Sequence, residues 1–408
     1  MPPPPNILWV VTTQWRGQAT GYAGDPNART PNLDRLAREA ANFRQAVTPH
    51  PFGPFARAAL LTGTPSPENG VAGYFDPLPP TRRTVAHELG NLGYRTAFFG
   101  KWHLAPRDPG VPLVGEAHAR LVVPPEHRGG FEFWEGFEGG FLLNDPWLHG
   151  TRIAQPVRVS GYQSDVLCDR AREWIASQVA STPWFCLASL EAPHPPYAAP
   201  TPGSAGRRAY GLQLRPNVPT LVQPKALEEL AGYYAHIEAT DRALGGLVAA
   251  APANTVIVFT SVHGDMHGSH GLFRKGWPHE ESVRVPLLIR LPETLAAGWS
   301  GARDELVSLL DLSTWSRRWA EGKAFAVPNP ASQRISMPSV VALPHQCDRV
   351  WRGERTRTRK TIAALPPGSS AQPDGYTPWL DFDLERDPYE LANRVTPKPA
   401  AGEALGAR

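Results

Sequence analysis

Four apolar runs in this chain each stop at residues able to bind an anion or move a proton. Ile7-Leu8-Trp9-Val10-Val11 runs into Thr12-Thr13-Gln14, and Tyr94 to Phe99 ends at Gly100-Lys101-Trp102-His103. Trp184 to Leu190 ends at Glu191-Ala192-Pro193-His194, and Thr255 to Thr260 ends at Ser261-Val262-His263. An imidazole titrates close to neutrality and can serve as general acid or base. A lysine ammonium is a compact positive charge suited to an oxyanion. Polar residues follow strands wherever a loop begins, but three separate ends that each present a histidine define a candidate site.

Those residues must be held by the elements that precede them. A short run apolar at every position reads as a strand buried on both faces. Between the runs lie helical patterns: Pro31 to Phe43, Thr84 to Leu92 closed by Gly93, Ser164 to Ala180, and Ala226 to Ala250. Strands alternating with helices predict an α/β fold, a mostly parallel sheet flanked by helices. In such sheets ligands sit at the carboxyl ends of the strands, where these polar residues fall. Residues 311 to 345 read as a connecting stretch rich in Pro, Ser and Arg. Arg355-Thr356-Arg357-Thr358-Arg359 alternates with period two, as a half-exposed strand with a solvated basic face would. Trp379 to Leu384 reads as one more strand. The expected organisation is a large α/β domain over residues 1–325 and a smaller, β-rich C-terminal α+β domain over residues 326–408.

Composition narrows the function classes. The 408 residues include 41 Lys+Arg and 38 Asp+Glu, a net charge of +3. Spread over this length, that is no footprint for nucleic acid or an anionic membrane. No apolar run approaches the ~20 residues needed to span a bilayer. The 45 prolines are roughly twice the usual share and imply many rigid loops. Three cysteines, Cys168, Cys186 and Cys347, make no disulfide framework and no CxxC pair, which suits a reducing compartment. The N-terminus lacks a basic segment and a long apolar segment, so a cytoplasmic location is expected.

Ordered motifs along the chain add a family resemblance. They are Pro5-Asn6-Ile7-Leu8, Thr30-Pro31-Asn32-Leu33-Asp34-Arg35-Leu36-Ala37, Arg57-Ala58-Ala59-Leu60-Leu61-Thr62-Gly63, and Gly100-Lys101-Trp102-His103-Leu104. Pro193-His194-Pro195-Pro196, His263-Gly264-Asp265-Met266, Lys275-Gly276 and Asp383-Leu384-Glu385-Arg386-Asp387-Pro388-Tyr389-Glu390-Leu391 follow. Together they resemble the sulfatase family of the alkaline-phosphatase superfamily. The resemblance implies a Cys or Ser in a C/S-x-P-x-R motif, oxidised to formylglycine, whose hydrate attacks sulfur. It also implies a divalent metal, usually calcium, held by acidic or amide residues after the first and a late strand.

The sequence departs from that pattern at the chemistry. Four residues before Arg57 stands Gly53, which has no side chain to oxidise. The first expected ligand pair reads Thr13-Gln14 and the late pair Val262-His263. Calcium takes six to eight oxygens, carboxylates among them, so no calcium, no formylglycine and no cofactor are expected. None of the three cysteines, nor Ser66, is followed by the Pro and Arg of the motif.

The basic residues remain. His103, His194, Lys101 and Lys275 are expected to be catalytic, with the two histidines as general acid and base. Arg57, Thr13, Gln14 and His263 are expected to bind substrate. With the acids gone, the cations are expected to lack counter-charges and to depress the histidine pKa values. The expected activity is metal-independent hydrolysis or transfer of a sulfuryl, sulfamoyl or phosphoryl-type group on a small molecule. The alternative is an inactive pseudo-sulfatase that binds an anionic ligand or a protein partner. His267 and His279 are expected at the surface or pocket rim, Asp265 and His270 as structural groups, and Trp102 and Trp277 in the core or the pocket wall. Pro51, Pro54, Pro193, Pro195, Pro196, Pro200 and Pro278 are expected to stiffen the loops around it.

Overall fold

The computed structural model describes residues 3–203, 209–295, 299–323, 327–369 and 374–396; the expected domain boundary at 325 and 326 lies outside them. In chain order the elements are β1 (Asn6–Thr12), α1 (Pro31–Glu39), β2 (Ala41–Val47), α2 (Gly53–Thr62), α3 (Val85–Asn91), β3 (Arg95–Lys101) and α4 (Glu116–Ala119). Next come β4 (Phe133–Phe137), β5 (Trp147–Gly150), β6 (Val157–Arg158), α5 (Gln163–Ala176), β7 (Trp184–Ser189), α6 (Gln223–Ala250) and β8 (Thr255–Ser261). The last are α7 (Glu280–Val283), β9 (Leu287–Arg290), β10 (Gly301–Ser308), α8 (Asp311–Ala320), β11 (Gln333–Met337), β12 (Trp351–Arg355), β13 (Arg359–Ala364) and β14 (Thr377–Asp383).

Strands β1 to β10 form one sheet in the order β10-β2-β9-β8-β1-β7-β3-β4-β5-β6, and β11 to β14 form an antiparallel sheet of four. β1 pairs parallel with both β7 and β8, and β3 pairs parallel with β7 and β4. β1 alternates between two apolar clusters. Ile7, Trp9 and Val11 join one, and Leu8 and Val10 join the other. That period-two division is what a strand covered on both faces requires. Ile335, Trp351 and Phe382 of the small sheet belong to the first of these clusters, so apolar packing is continuous from the large sheet into the small one.

Register sets the site. Val11 stands beside Ser189 on one side and Thr260 on the other, and Gly100 stands beside Ser189. The carboxyl ends of β1, β3, β7 and β8 are therefore level. Gly100 permits this: its φ is +106°, and a Cβ there would come within 2.2 Å of the Ser189 carbonyl oxygen.

Several local expectations are corrected. The helix expected over Pro31 to Phe43 ends at Glu39, and Ala41–Val47 is β2. Residues 311 to 345 are not merely connecting, since α8 and β11 lie within them. Arg355 to Arg359 is not one strand. Arg355 ends β12, Arg359 begins β13, and Thr356 closes the hairpin against Arg359. Arg355 is not on a solvated face either: it is 2% exposed and ion-paired with Glu280.

Candidate functional site

The structure brings all eight expected residues, Thr13, Gln14, Arg57, Lys101, His103, His194, His263 and Lys275, to one end of the sheet, and all are buried. Arg57 projects from α2 and ties three strand ends together. Its Nη1 donates to the Lys101 carbonyl at 3.0 Å and to Ser189 Oγ at 2.6 Å, and its Nη2 donates to Thr13 Oγ1 at 2.8 Å. Only Nε lacks a partner. Burial pulls its pKa down to about 10, against the opposing influence of Glu191 and Glu138. Thr13 passes its own proton to the Leu190 carbonyl at 3.1 Å. Its hydroxyl is thus committed to the protein.

Lys101 is a correction to the idea of cations without counter-charges. Its Nζ lies 2.6 Å from Glu191 Oε1, with side chains 1% and 0% exposed. Gln163 Nε2 donates to the other Glu191 oxygen at 3.1 Å. Arg107 and Glu138 form a second buried pair at 3.3 Å beside it. Burial lifts the Glu138 carboxyl to about 7, although Arg107 and two backbone N–H groups oppose the shift. A third acid, Asp265, accepts from Gln14 Nε2 and from Tyr197 Oη. Glu191 follows a strand end as the histidines do, and that position could have flagged it. Glu138 and Gln163 carry no comparable signal.

Lys275 reaches inward and donates to Gln14 Oε1 and, at 2.8 Å, to His194 Nε2. Burial first, and then Lys101, hold its pKa well below the ordinary lysine value. His194 Nδ1 faces the Pro195 carbonyl at 2.8 Å. A carbonyl only accepts, so Nδ1 carries the proton and Nε2 the lone pair that Lys275 uses. His263 is fixed the same way by the Gly264 carbonyl at 2.9 Å, but its Nε2 has no partner. His103 likewise has an unpartnered Nδ1. Burial, reinforced by nearby cations, holds all three histidines well below the usual value, so they are neutral at pH 7.

Aromatic rings wall the pocket. Phe141 stacks on His194 with centroids 4.6 Å apart, and Lys101 Nζ lies 4.5 Å from the same ring centre. Tyr74 meets His103 edge-on at 5.7 Å. Phe141 lies between β4 and β5, where nothing in the sequence marks it. Gln14, His103 and Arg274 have φ of 67°, 62° and 63°, a region that costs a non-glycine residue about 1–3 kcal/mol and recurs at functional sites.

Other side chains fall elsewhere. His267 is fully buried and His279 is 6% exposed, against the expectation of rim positions; both are packed by rings, His267 by Tyr233 and His279 by His270. Trp102 lies in the core beside Phe98 and Trp134.

Residues 5–321 match the family model described as Sulfatase. The chain belongs to the sulfatase family. It is 36% identical over 301 residues to an ulvan-active sulfatase of Formosa agariphila, covering 71% of this chain and 57% of that one. It is 28% identical over 458 residues to an arylsulfatase of Clostridium perfringens, covering 96% and 90%. This sulfatase-family chain superposes on a solved structure from glycosaminoglycan metabolism of Bacteroides thetaiotaomicron with a TM-score of 0.80 at 23% identity, covering 96% and 92%. It thus spans little more than half the length of the Formosa relative.

At the positions where the family resemblance implies a metal and a formylglycine, the residues of this chain do not fit either group. Thr13 is bonded to Arg57, Gln14 Oε1 accepts from an ammonium, and Val262 is a fully buried hydrocarbon. A divalent ion there would meet the Arg57 and Lys275 cations, with Asp265, already bonded to Gln14 and Tyr197, as the nearby carboxylate, against the several oxygens hard cations need. A Cβ on Gly53 would stand 2.8 Å from His103 Nδ1. The imidazole fills the volume in which a nucleophilic side chain would begin.

Proposed function

We propose that this sulfatase-family chain acts at the carboxyl ends of β1, β3, β7 and β8 on a small molecule bearing a sulfuryl-type group, a sulfate ester first, without formylglycine and without a divalent metal. Sulfamoyl and phosphoryl esters have the same tetrahedral shape and belong to the same class. The observation that carries the reading is the convergence of Lys275, Gln14 and His194 on the implied metal position, with the unpartnered His263 Nε2 and His103 Nδ1 beside it. The names of the Formosa and Clostridium relatives support a sulfate-bearing substrate.

The chemistry follows from which ring atoms are free. His263 Nε2 or His103 Nδ1 accepts a proton from an attacking water as its oxygen bonds to sulfur. The ester S–O bond breaks, and the departing oxygen takes a proton from Lys275, whose buried ammonium is a stronger acid than an exposed one. Arg57 Nε and the Lys101 and Lys275 charges offset the charge that grows on the sulfuryl oxygens.

A second reading, anion binding without turnover, is favoured by the closed Lys101–Glu191 pair, which neutralises one of the three cations. Titration with aryl sulfate, aryl phosphate and inorganic phosphate, with turnover followed in parallel, separates the two. Binding with turnover that falls in His263→Ala and His103→Ala supports catalysis. Binding with no turnover supports the second reading, and indifference to every anion rejects both.

A further inference from the structure

A second cluster of cations lies away from the strand ends. A cavity of about 540 Å3 opens between the segment after β1, the 213–216 loop and the small sheet. Arg16, Arg215, Arg284, Arg355 and Arg357 line it. None of the eight residues of the strand-end site does so.

The charges do not cancel. Glu280 is paired with Arg355 at 3.0 Å, and Glu281 with Arg215 at 2.8 Å. Asp25 and Glu280 are the carboxylates of the lining, and Glu281 does not line it. With Glu281 counted for its pair with Arg215, three acids stand against five arginines, which leaves an excess of two positive charges. Arg284 is held below the ordinary arginine range, by burial first and also by the like charges of Arg215 and Arg355, against Glu280.

Unmet hydrogen-bonding capacity collects in the same place. Arg16 is 3% exposed and its Nε has no partner; Arg355 is 2% exposed and its Nη1 has none. Both Gln18 amide atoms and Gln45 Oε1 are also unpartnered, and both residues line the cavity. Buried polar groups are normally satisfied, and each one left unmet costs about 1–3 kcal/mol. Guanidinium groups prefer oxyanions they can grip with two N–H bonds. Amides alongside suit the hydroxyls of a polar scaffold.

We propose that this cavity is a second binding site, for a small phosphate- or sulfate-bearing molecule, distinct from the strand-end pocket. The anion sits among Arg16, Arg284, Arg355 and Arg357, and the amides of Gln18 and Gln45 take the scaffold.

The test is calorimetric titration of the full chain with inorganic phosphate, inorganic sulfate, pyrophosphate and glucose 6-phosphate at low ionic strength. Arg57→Gln disables the strand-end pocket, Arg284→Gln the cavity, and the exposed Arg357→Ser does so with little risk to folding. Binding that survives in Arg57→Gln and weakens at least tenfold in both Arg284→Gln and Arg357→Ser is the expected result. A preference for glucose 6-phosphate over the inorganic ions assigns the scaffold contacts, and the reverse preference limits the site to the free anion. Binding lost in Arg57→Gln, unchanged in folded Arg357→Ser, or absent for all four probes overturns the proposal.

Discussion

Replacing Glu191 with glutamine tests the electrostatics of the strand-end pocket directly. Lys101 Nζ and Glu191 Oε1 are 2.6 Å apart and nearly inaccessible to solvent. At an effective dielectric of ~20 their attraction is about 6 kcal/mol. Much of that offsets desolvation, so removing one partner of such a pair costs about 3–5 kcal/mol. Glutamine has the right shape but the wrong protons. Gln163 already donates through Nε2 to Glu191 Oε2 and accepts the Glu191 N–H through Oε1, so it has no free orientation to receive a new donor. The variant is therefore expected to lose about 3–5 kcal/mol in urea unfolding followed by tryptophan fluorescence. It also uncovers the Lys101 charge. For an anion taken to sit ~6 Å from residue 191, removing the negative charge relieves about 3 kcal/mol of repulsion at the same dielectric, so phosphate affinity should rise about 100-fold. Glu191→Asp keeps the charge and should not show this gain. A Glu191→Gln protein as stable as the parent, or one that binds phosphate no better, would refute the reasoning.

Buried histidines make stability depend on pH. Burial holds His50 at about 4, and the same cause holds His118, His149 and His236 at about 4. In the unfolded chain these groups protonate near 6.5, so between about 6.5 and 4 the unfolded state binds more protons. Stability present above pH 6.5 must then fall as pH drops, by up to about 3 kcal/mol for fully buried His50 alone. Urea midpoints measured from pH 8 to pH 4.5 should decline below about 6.5, and a flat profile contradicts this. Phosphate binding should be accompanied by proton uptake near neutrality, because an anion raises the depressed pKa values of His103, His194 and His263; calorimetry in buffers of different ionisation enthalpy measures it, and no proton uptake counts against the placement. Gly53→Cys should destabilise by about 1–3 kcal/mol through the clash with His103 and should gain no aryl sulfate hydrolysis over the parent; a variant as stable as the parent and more active refutes the steric account. Calcium and EDTA should both leave the thermal midpoint unchanged, whereas a metal-dependent rise would show a cation site.

The large features of this fold are written in short patterns. Ile7 to Val11 and Thr255 to Thr260 are apolar at every position, and both are strands covered on both faces, which is why the strand ends and their eight polar residues were legible. Where one pattern serves two elements, legibility failed. Leu33, Leu36 and Ala40 continue the helical spacing into Ala41 and Phe43, yet the chain turns at Ala40 because Ala41–Val47 finds partners in β9 and β10. The Arg355 to Arg359 alternation is a tertiary matter: Glu280, 75 residues away, draws Arg355 inward. Counter-charges were missed for the same reason. Removing acids at the implied metal positions says nothing about Glu191 and Glu138, which reach the cations from beyond β7 and β4, nor about Asp265, two residues past His263.

The imidazole of His103 above Gly53 also bears on reversibility. A vacated position that stays empty can be refilled by a single codon change. Here the neighbour occupies the space, with His103 in a left-handed turn and its ring held against Tyr74. A side chain at residue 53 would stand 2.8 Å from His103 Nδ1, so restoring a nucleophile there also requires the His103 ring to give way. A designer seeking formylglycine chemistry in this scaffold would have to change residues 53 and 103 together.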